Sequence, residues 1–154
     1  MLGRMYENQV CSIARSLEVL GERWTLLIVR DAILGLRRFD DFQHSLGVAR
    51  NVLTDRLGRL VDAGILERVP YQDRPVRYEY QLTPMGQTLA VPVVALMQWG
   101  DRYLAGPTGP PRVVRHHECG GKVQATLVCA KCHDVVRPAD IDVLPGPGLP
   151  KRVA

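Results

Sequence analysis

Four successive runs carry apolar residues at helical spacing, and glycines punctuate them, which fixes the class of fold before composition enters. Cys11 to Leu20 and Arg23 to Leu36 are divided by Gly21; Phe39-Asp40-Asp41-Phe42 to Leu46 ends at Gly47; Arg50 to Ala63 stops at Gly64. Glycine ends helices because it enters the left-handed conformation without a Cβ penalty. The first two runs are expected to pack as a helix pair. In the fourth, Leu53, Leu57, Leu60 and Val61 fall on one side, which must face the core.

Past Gly64 the period changes. Ile65 to Val69 and Arg77 to Leu82 have strand character, and Pro70 to Pro75 between them is turn-like, which predicts a hairpin with Arg74 at its tip. Thr83 then caps, and Pro84 opens, a final helix that reaches Leu104 and is kinked at Pro92.

A helix pair, a short helix, a glycine turn, an amphipathic helix and a hairpin is the element order of a winged helix-turn-helix, a mainly α fold with a small β-hairpin. A helix fits the major groove of a duplex with its N-terminal half against base edges, while a basic hairpin reaches neighbouring phosphates. On the fourth helix the side opposite the leucines offers Arg50, Asn51, Thr54, Asp55 and Arg59, with Arg38 ahead of the third helix and Arg74 and Arg77 on the hairpin. Arginine grips guanine or phosphate, asparagine pairs with adenine, threonine meets phosphate or a thymine methyl, and aspartate accepts from cytosine but repels phosphate. Polar residues opposite an apolar stripe also occur on ordinary surface helices, so the expectation of double-stranded DNA as partner rests on the order of elements.

Composition agrees without deciding. The 154 residues carry a net charge of +4, and of 20 cations 17 are arginine. Arginine forks suit phosphate and guanine, although a GC-rich coding sequence would also favour them. No stretch approaches the roughly 20 apolar residues of a membrane span. The segment MLGRMYENQVC lacks the apolar centre of a secretory signal, so a cytoplasmic chain with reduced cysteines is expected. Proline and glycine runs at 107–111 and 145–148 divide the chain into a DNA-binding and dimerisation domain at 1–105, a linker at 106–115, a Cys/His module at 116–144 and a flexible tail at 145–154. No repeat of fixed period appears.

Several motifs in fixed order resemble the HxlR family. They are Cys11-x-Ile13-Ala14-x-x-Leu17, Leu20-Gly21-Glu22-Arg23-Trp24-Thr25-Leu26-Leu27-Ile28, Arg38-Phe39-Asp40-Asp41-Phe42, Leu53-Thr54-Asp55-Arg56-Leu57-x-x-Leu60, Gly64-Ile65-Leu66-x-Arg68, Tyr80-x-Leu82-Thr83-x-x-Gly86 and Leu96-x-x-Trp99-Gly100. The resemblance implies a bacterial winged helix-turn-helix transcriptional regulator that binds operators as a homodimer; our own expectation is that it acts as a repressor, although the sequence does not choose between activation and repression. The resemblance also implies a seam in which the N-terminal region packs against the terminal helix, where Leu89, Val93, Leu96, Met97 and Tyr103 supply apolar surface. Members often carry a serine just before the recognition helix; Val48-Ala49 stands here instead. Some members sense oxidants or electrophiles through a cysteine in the region of Cys11, whereas burial as an inert small residue is the commoner fate of a lone thiol.

His116-x-x-Cys119 and Cys129-x-x-Cys132 supply two closely spaced ligand pairs, and three thiolates with one imidazole suit a structural zinc ion in a ribbon-like extension. His117 or His133 can replace His116 in that set. Reduced cysteines packed as small hydrophobes, or a disulfide, are the competing readings. His116-His117-Glu118 followed by Cys129 and Cys132 formally matches a zinc deaminase, but too few residues separate the halves, so an enzyme is not expected. The rival functions are a winged-helix module for protein interaction and, behind it, a small zinc hydrolase.

Overall fold

The structure, a computed structural model, describes Tyr6 and residues 9–149. Most of the stretch read for a secretory signal, and the tail from Pro150 on, lie outside the described residues. The chain forms two compact units, one ending at Ala90 and one beginning at Val91.

The first unit holds α1 (Ser12–Leu20), α2 (Thr25–Ile33), α3 (Phe39–Leu46), α4 (Arg50–Asp62), β1 (Leu66–Asp73), β2 (Val76–Leu82) and α5 (Pro84–Gln87). Its core consists of Ile28 and Val29 of α2, Phe42 of α3, Leu53, Leu57 and Leu60 of α4, and Ile65 and Leu66 leading into the hairpin. The three α4 leucines repeat at helical spacing and are wholly buried, each contributing roughly 1.5–3 kcal/mol of transfer free energy. Gly47 at φ +60° and Gly64 at φ +71° close α3 and α4 as expected. α2 is shorter than the Arg23 to Leu36 run suggests. Trp24, at φ +79°, sets its start, and Gly35, at φ +96°, turns the chain just beyond its end.

The hairpin is longer than expected. β1 and β2 pair from Leu66↔Leu82 to Asp73↔Val76, so residues read as turn belong to the ladder. A register shift between Pro70 and Gln72 absorbs the proline, which has no N–H to give, and pairing resumes beyond it. Only Arg74 and Pro75 form the tip. The segment before α3 joins this sheet: Tyr80 N–H donates to Arg37 O at 2.7 Å, and Arg38 bridges Glu79.

Thr83 caps α5 as read, its hydroxyl accepting from Gly86 N–H at 3.1 Å and donating to Gly64 O at 2.6 Å. A Cβ at Gly86 would lie 2.1 Å from Ile65 O, so the close approach of α5 to the hairpin requires glycine. The single kinked helix expected from Pro84 to Leu104 is instead two: α5 stops at Gln87, and α6 runs Ala90–Tyr103. Pro92 cannot donate to Thr88 O, and its ring would clash there, so the chain breaks before it and Pro92 takes the first turn of a new helix.

The second unit contains α6, a two-residue hairpin of β3 (Leu127–Val128) and β4 (Val135–Val136), an isolated pairing of Arg115 with Lys122, and a 3-10 turn at Pro138–Asp140. The Gln98 amide of α6 donates to Val123 O at 2.7 Å and accepts from Ala125 N–H at 2.9 Å, fastening the extension to the helix. No described residue from Val91 to Leu149 is buried.

Candidate nucleic-acid interface

Because Leu53, Leu57 and Leu60 turn α4 inwards, Arg50, Asn51, Thr54, Asp55 and Arg59 are all exposed. Arg50, in the first turn, lies over the Phe39 ring at 4.6 Å and 3.9 Å from an Asp40 oxygen, so its guanidinium is steered but remains mostly in solvent. Thr54 donates to Arg50 O at 2.9 Å, leaving the hydroxyl oxygen free to accept. Asp55 is engaged on its own helix, 2.6 Å from Arg56 and 3.1 Å from Arg59. Its carboxylate therefore holds two arginines of α4.

Sequence reasoning passed over Arg56. It is half-buried and reaches Glu22 at 3.0 Å as well as Asp55, tying α4 to the loop after α1. Nothing in the local pattern announces that tie, since Glu22 lies 34 residues away.

On the hairpin, Arg74 and Arg77 are exposed, as expected of a wing. Arg38, ahead of α3, sits over the Tyr71 ring at 4.8 Å and 3.4 Å from Glu79. Arg68 stacks over Tyr78 at 4.1 Å, a second cation–π pair on the wing that the reading missed; it joins diagonal neighbours across the two strands, since the residue directly opposite Arg68 is Tyr80. Ala49 caps α4 with no side-chain bond, so no protein side chain meets the first amides of the helix through its cap.

A profile of HxlR-like helix-turn-helix proteins matches residues 19–107. The chain belongs to this family, a group of transcriptional regulators. An uncharacterised HTH-type transcriptional regulator of Mycobacterium tuberculosis is 46% identical over 153 residues, 99% of this chain and 96% of that protein. Among solved structures, PA1607, a candidate transcription factor, superposes with a TM-score of 0.81 at 36% identity, over 92% of this chain and 99% of that one. The redox regulator HypR in its reduced form superposes with a TM-score of 0.57 at 30% identity, over 60% of this chain and 92% of that one. The chain's own architecture, a mainly helical body with small two-stranded antiparallel sheets, is consistent with a winged helix-turn-helix.

Cys11 stands at the N-cap of α1 and is exposed in the single chain, where the expected burial is not met. The amides of Ala14 and then Ile13, unpaired in the first turn, lower its pKa, although neither makes a fully formed cap bond.

Of the proposed metal ligands, His116 Nδ1 lies 3.2 Å from Cys119 Sγ. Cys129 and Cys132 face each other across one turn, and the amide of Cys132, then that of Lys131, lowers the Cys129 thiol. Among the described residues no three histidine, cysteine, aspartate or glutamate side chains gather around a common point, so the two pairs stand separately. The His116, Glu118, Cys129 and Cys132 set weighed for a deaminase is likewise not gathered.

Proposed function

We propose that this chain is a cytoplasmic homodimeric repressor that binds an operator in double-stranded DNA through α4 and the β1–β2 wing. The observation that carries the reading is the two-sidedness of α4: a wholly buried leucine stripe on one side and, on the other, Arg50, Asn51, Thr54 and Arg59 in solvent. Seated in the major groove, the first turn offers Arg50 to guanine or phosphate, Asn51 to adenine and Thr54 to phosphate or a thymine methyl, while Arg59 meets the backbone. Asp55 holds Arg59 and keeps phosphate from the middle of the helix; on a matched site it accepts from cytosine. Arg38, Arg74 and Arg77 meet the flanking backbone, which sets position more than sequence.

Dimerisation follows from an unmet apolar surface. Most of α6 is Ala, Val, Leu, Met and Trp, yet none of its residues is buried, and Val91, Leu96, Trp99 and Tyr103 are exposed. On α1, Ile13 and Leu17 are exposed too. A second copy that covers these helices presents two reading heads to half-sites about one helical turn apart. Cys11 is the proposed sensor of thiol-reactive effectors. Its exposure and depressed pKa favour the nucleophilic thiolate, and modification at the first helix acts on the seam.

The test is fluorescence anisotropy with the DNA upstream of the chain's own gene, across a salt series. Arg50→Ala and Arg74→Ala should each weaken binding and flatten the log–log salt slope by about one. Absence of binding by the unmodified chain at low salt would favour the protein-interaction reading.

A further inference from the structure

The extension holds the same turn twice. In the first copy His116 N–H donates to Gly121 O at 2.8 Å and Gly120 N–H donates to His116 O at 2.9 Å, with Arg115 paired to Lys122 just outside. In the second, Cys129 N–H donates to Asp134 O at 3.0 Å and His133 N–H to Cys129 O at 2.9 Å, with Val128 paired to Val135 just outside. Every donor, acceptor and flanking pair of the second copy sits at one constant offset from the first. The fifth residue of each turn is left-handed, Gly120 at φ +68° and His133 at φ +63°. Glycine adopts that conformation freely, whereas histidine is held there by the turn around it.

We propose that the paired turns form a zinc site, with Cys119, Cys129 and Cys132 as thiolate ligands and His116 as the fourth. First and fourth positions of each turn carry the ligands: His116 and Cys119 in one copy, Cys129 and Cys132 in the other. That spacing lets a single ion close on both members of a pair. The repeat also selects the histidine. His116 occupies the position that Cys129 holds in the second turn, whereas His117 corresponds to Ala130, and His133 corresponds to Gly120 on the backbone-determined corner.

Two further observations point the same way. With no buried residue from Val91 to Leu149, apolar burial cannot hold the two turns in place, and small domains without a core rely on a metal or a disulfide. The charge also balances. Binding releases three thiol protons to solvent, three thiolates and a neutral imidazole leave one net negative charge around a divalent ion, and Arg115, Lys122 and Lys131 stand in or beside the turns. Arg115 is already turned in, donating to Gly120 O at 2.7 Å. Binding of the ion is the step that draws the separate pairs together.

The experiment uses the full chain, purified without a histidine tag, and reads metal content by mass spectrometry and thiolate-to-metal charge-transfer absorbance after cobalt(II) exchange. One zinc per chain is expected, with a strong charge-transfer band. Cys129→Ser and Cys132→Ser should each reduce the metal to background, and His116→Ala should lower retention. His116→Cys should keep one ion per chain, which separates ligand loss from misfolding. His117→Ala and His133→Ala should retain full content. A wild-type chain that neither carries zinc nor takes up cobalt, or one isolated with a Cys129–Cys132 disulfide, overturns the site. Loss of metal in His117→Ala or His133→Ala with retention in His116→Ala overturns the ligand assignment. None of these readouts depends on DNA binding.

Discussion

The two units are built on opposite principles. Up to Ala90 the described residues close over ten buried apolar side chains, and short helices are held by what they bury. From Val91 on, nothing described is buried, and what order exists comes from backbone hydrogen bonds, two matched turns and one glutamine that grips the segment between them. The contrast teaches where each unit is vulnerable. The first fails by cavity, the second by loss of whatever ties its turns together.

The largest effect should come from testing that division directly. Each unit has its own tryptophan, Trp24 and Trp99, so a single-tryptophan background reports on one unit at a time. Leu57→Ala should destabilise the first unit by about 2–5 kcal/mol in denaturant titrations followed through Trp24. Val135→Ala, at a residue 68% exposed, should move the second unit by no more than about 0.5 kcal/mol. A loss at Val135 comparable with that at Leu57 would break the comparison, because it would mean the second unit closes over a core of its own.

A smaller change sharpens the description of the first unit. Ala49 begins α4 with no side-chain bond, and Ala49→Ser should add about 1 kcal/mol of stability, read as a rise in denaturation midpoint. No gain would show that the first amides of the helix are already satisfied.

The smallest effect concerns the exposed thiols, one type of group in two settings. Cys11 takes its depressed pKa from amides at the start of α1 and belongs to no ligand pair. A lowered pKa populates the thiolate at lower pH, so the rate of Cys11 alkylation, followed by peptide-resolved mass spectrometry, should rise through a midpoint below that of the same cysteine in the unfolded chain. A midpoint at or above that value would remove the basis for Cys11 as a sensor.

What could be read in advance followed local chemistry. α3 and α4 were legible almost to the residue, because Gly47 and Gly64 end them in a conformation glycine favours. The exposed face of α4 was legible because the leucine stripe dictates it. The wing's length was not: Pro70 and Asp73 look like turn residues, and only the partner strand, with its register shift, keeps them in the ladder. The division between α5 and α6 was hidden behind a continuous apolar run, although Pro92 held the reason. Arg56 escaped notice because its partner Glu22 is remote in sequence. In the extension the ligand spacing was visible, while the equivalence of the two turns was not, since one carries glycine and the other histidine at the same left-handed corner. A search for sequence repeats has no purchase on a likeness that lives in the backbone.

The seam that joins Arg37 and Arg38 to Glu79 and Tyr80 has a mechanical consequence. With the lead-in to α3 stitched into the sheet, α3 and the wing are tied to one another like a caliper with a locked jaw. Under the proposed function, a signal that releases DNA would gain little by bending this gauge; it would shift the whole instrument along or away from the duplex.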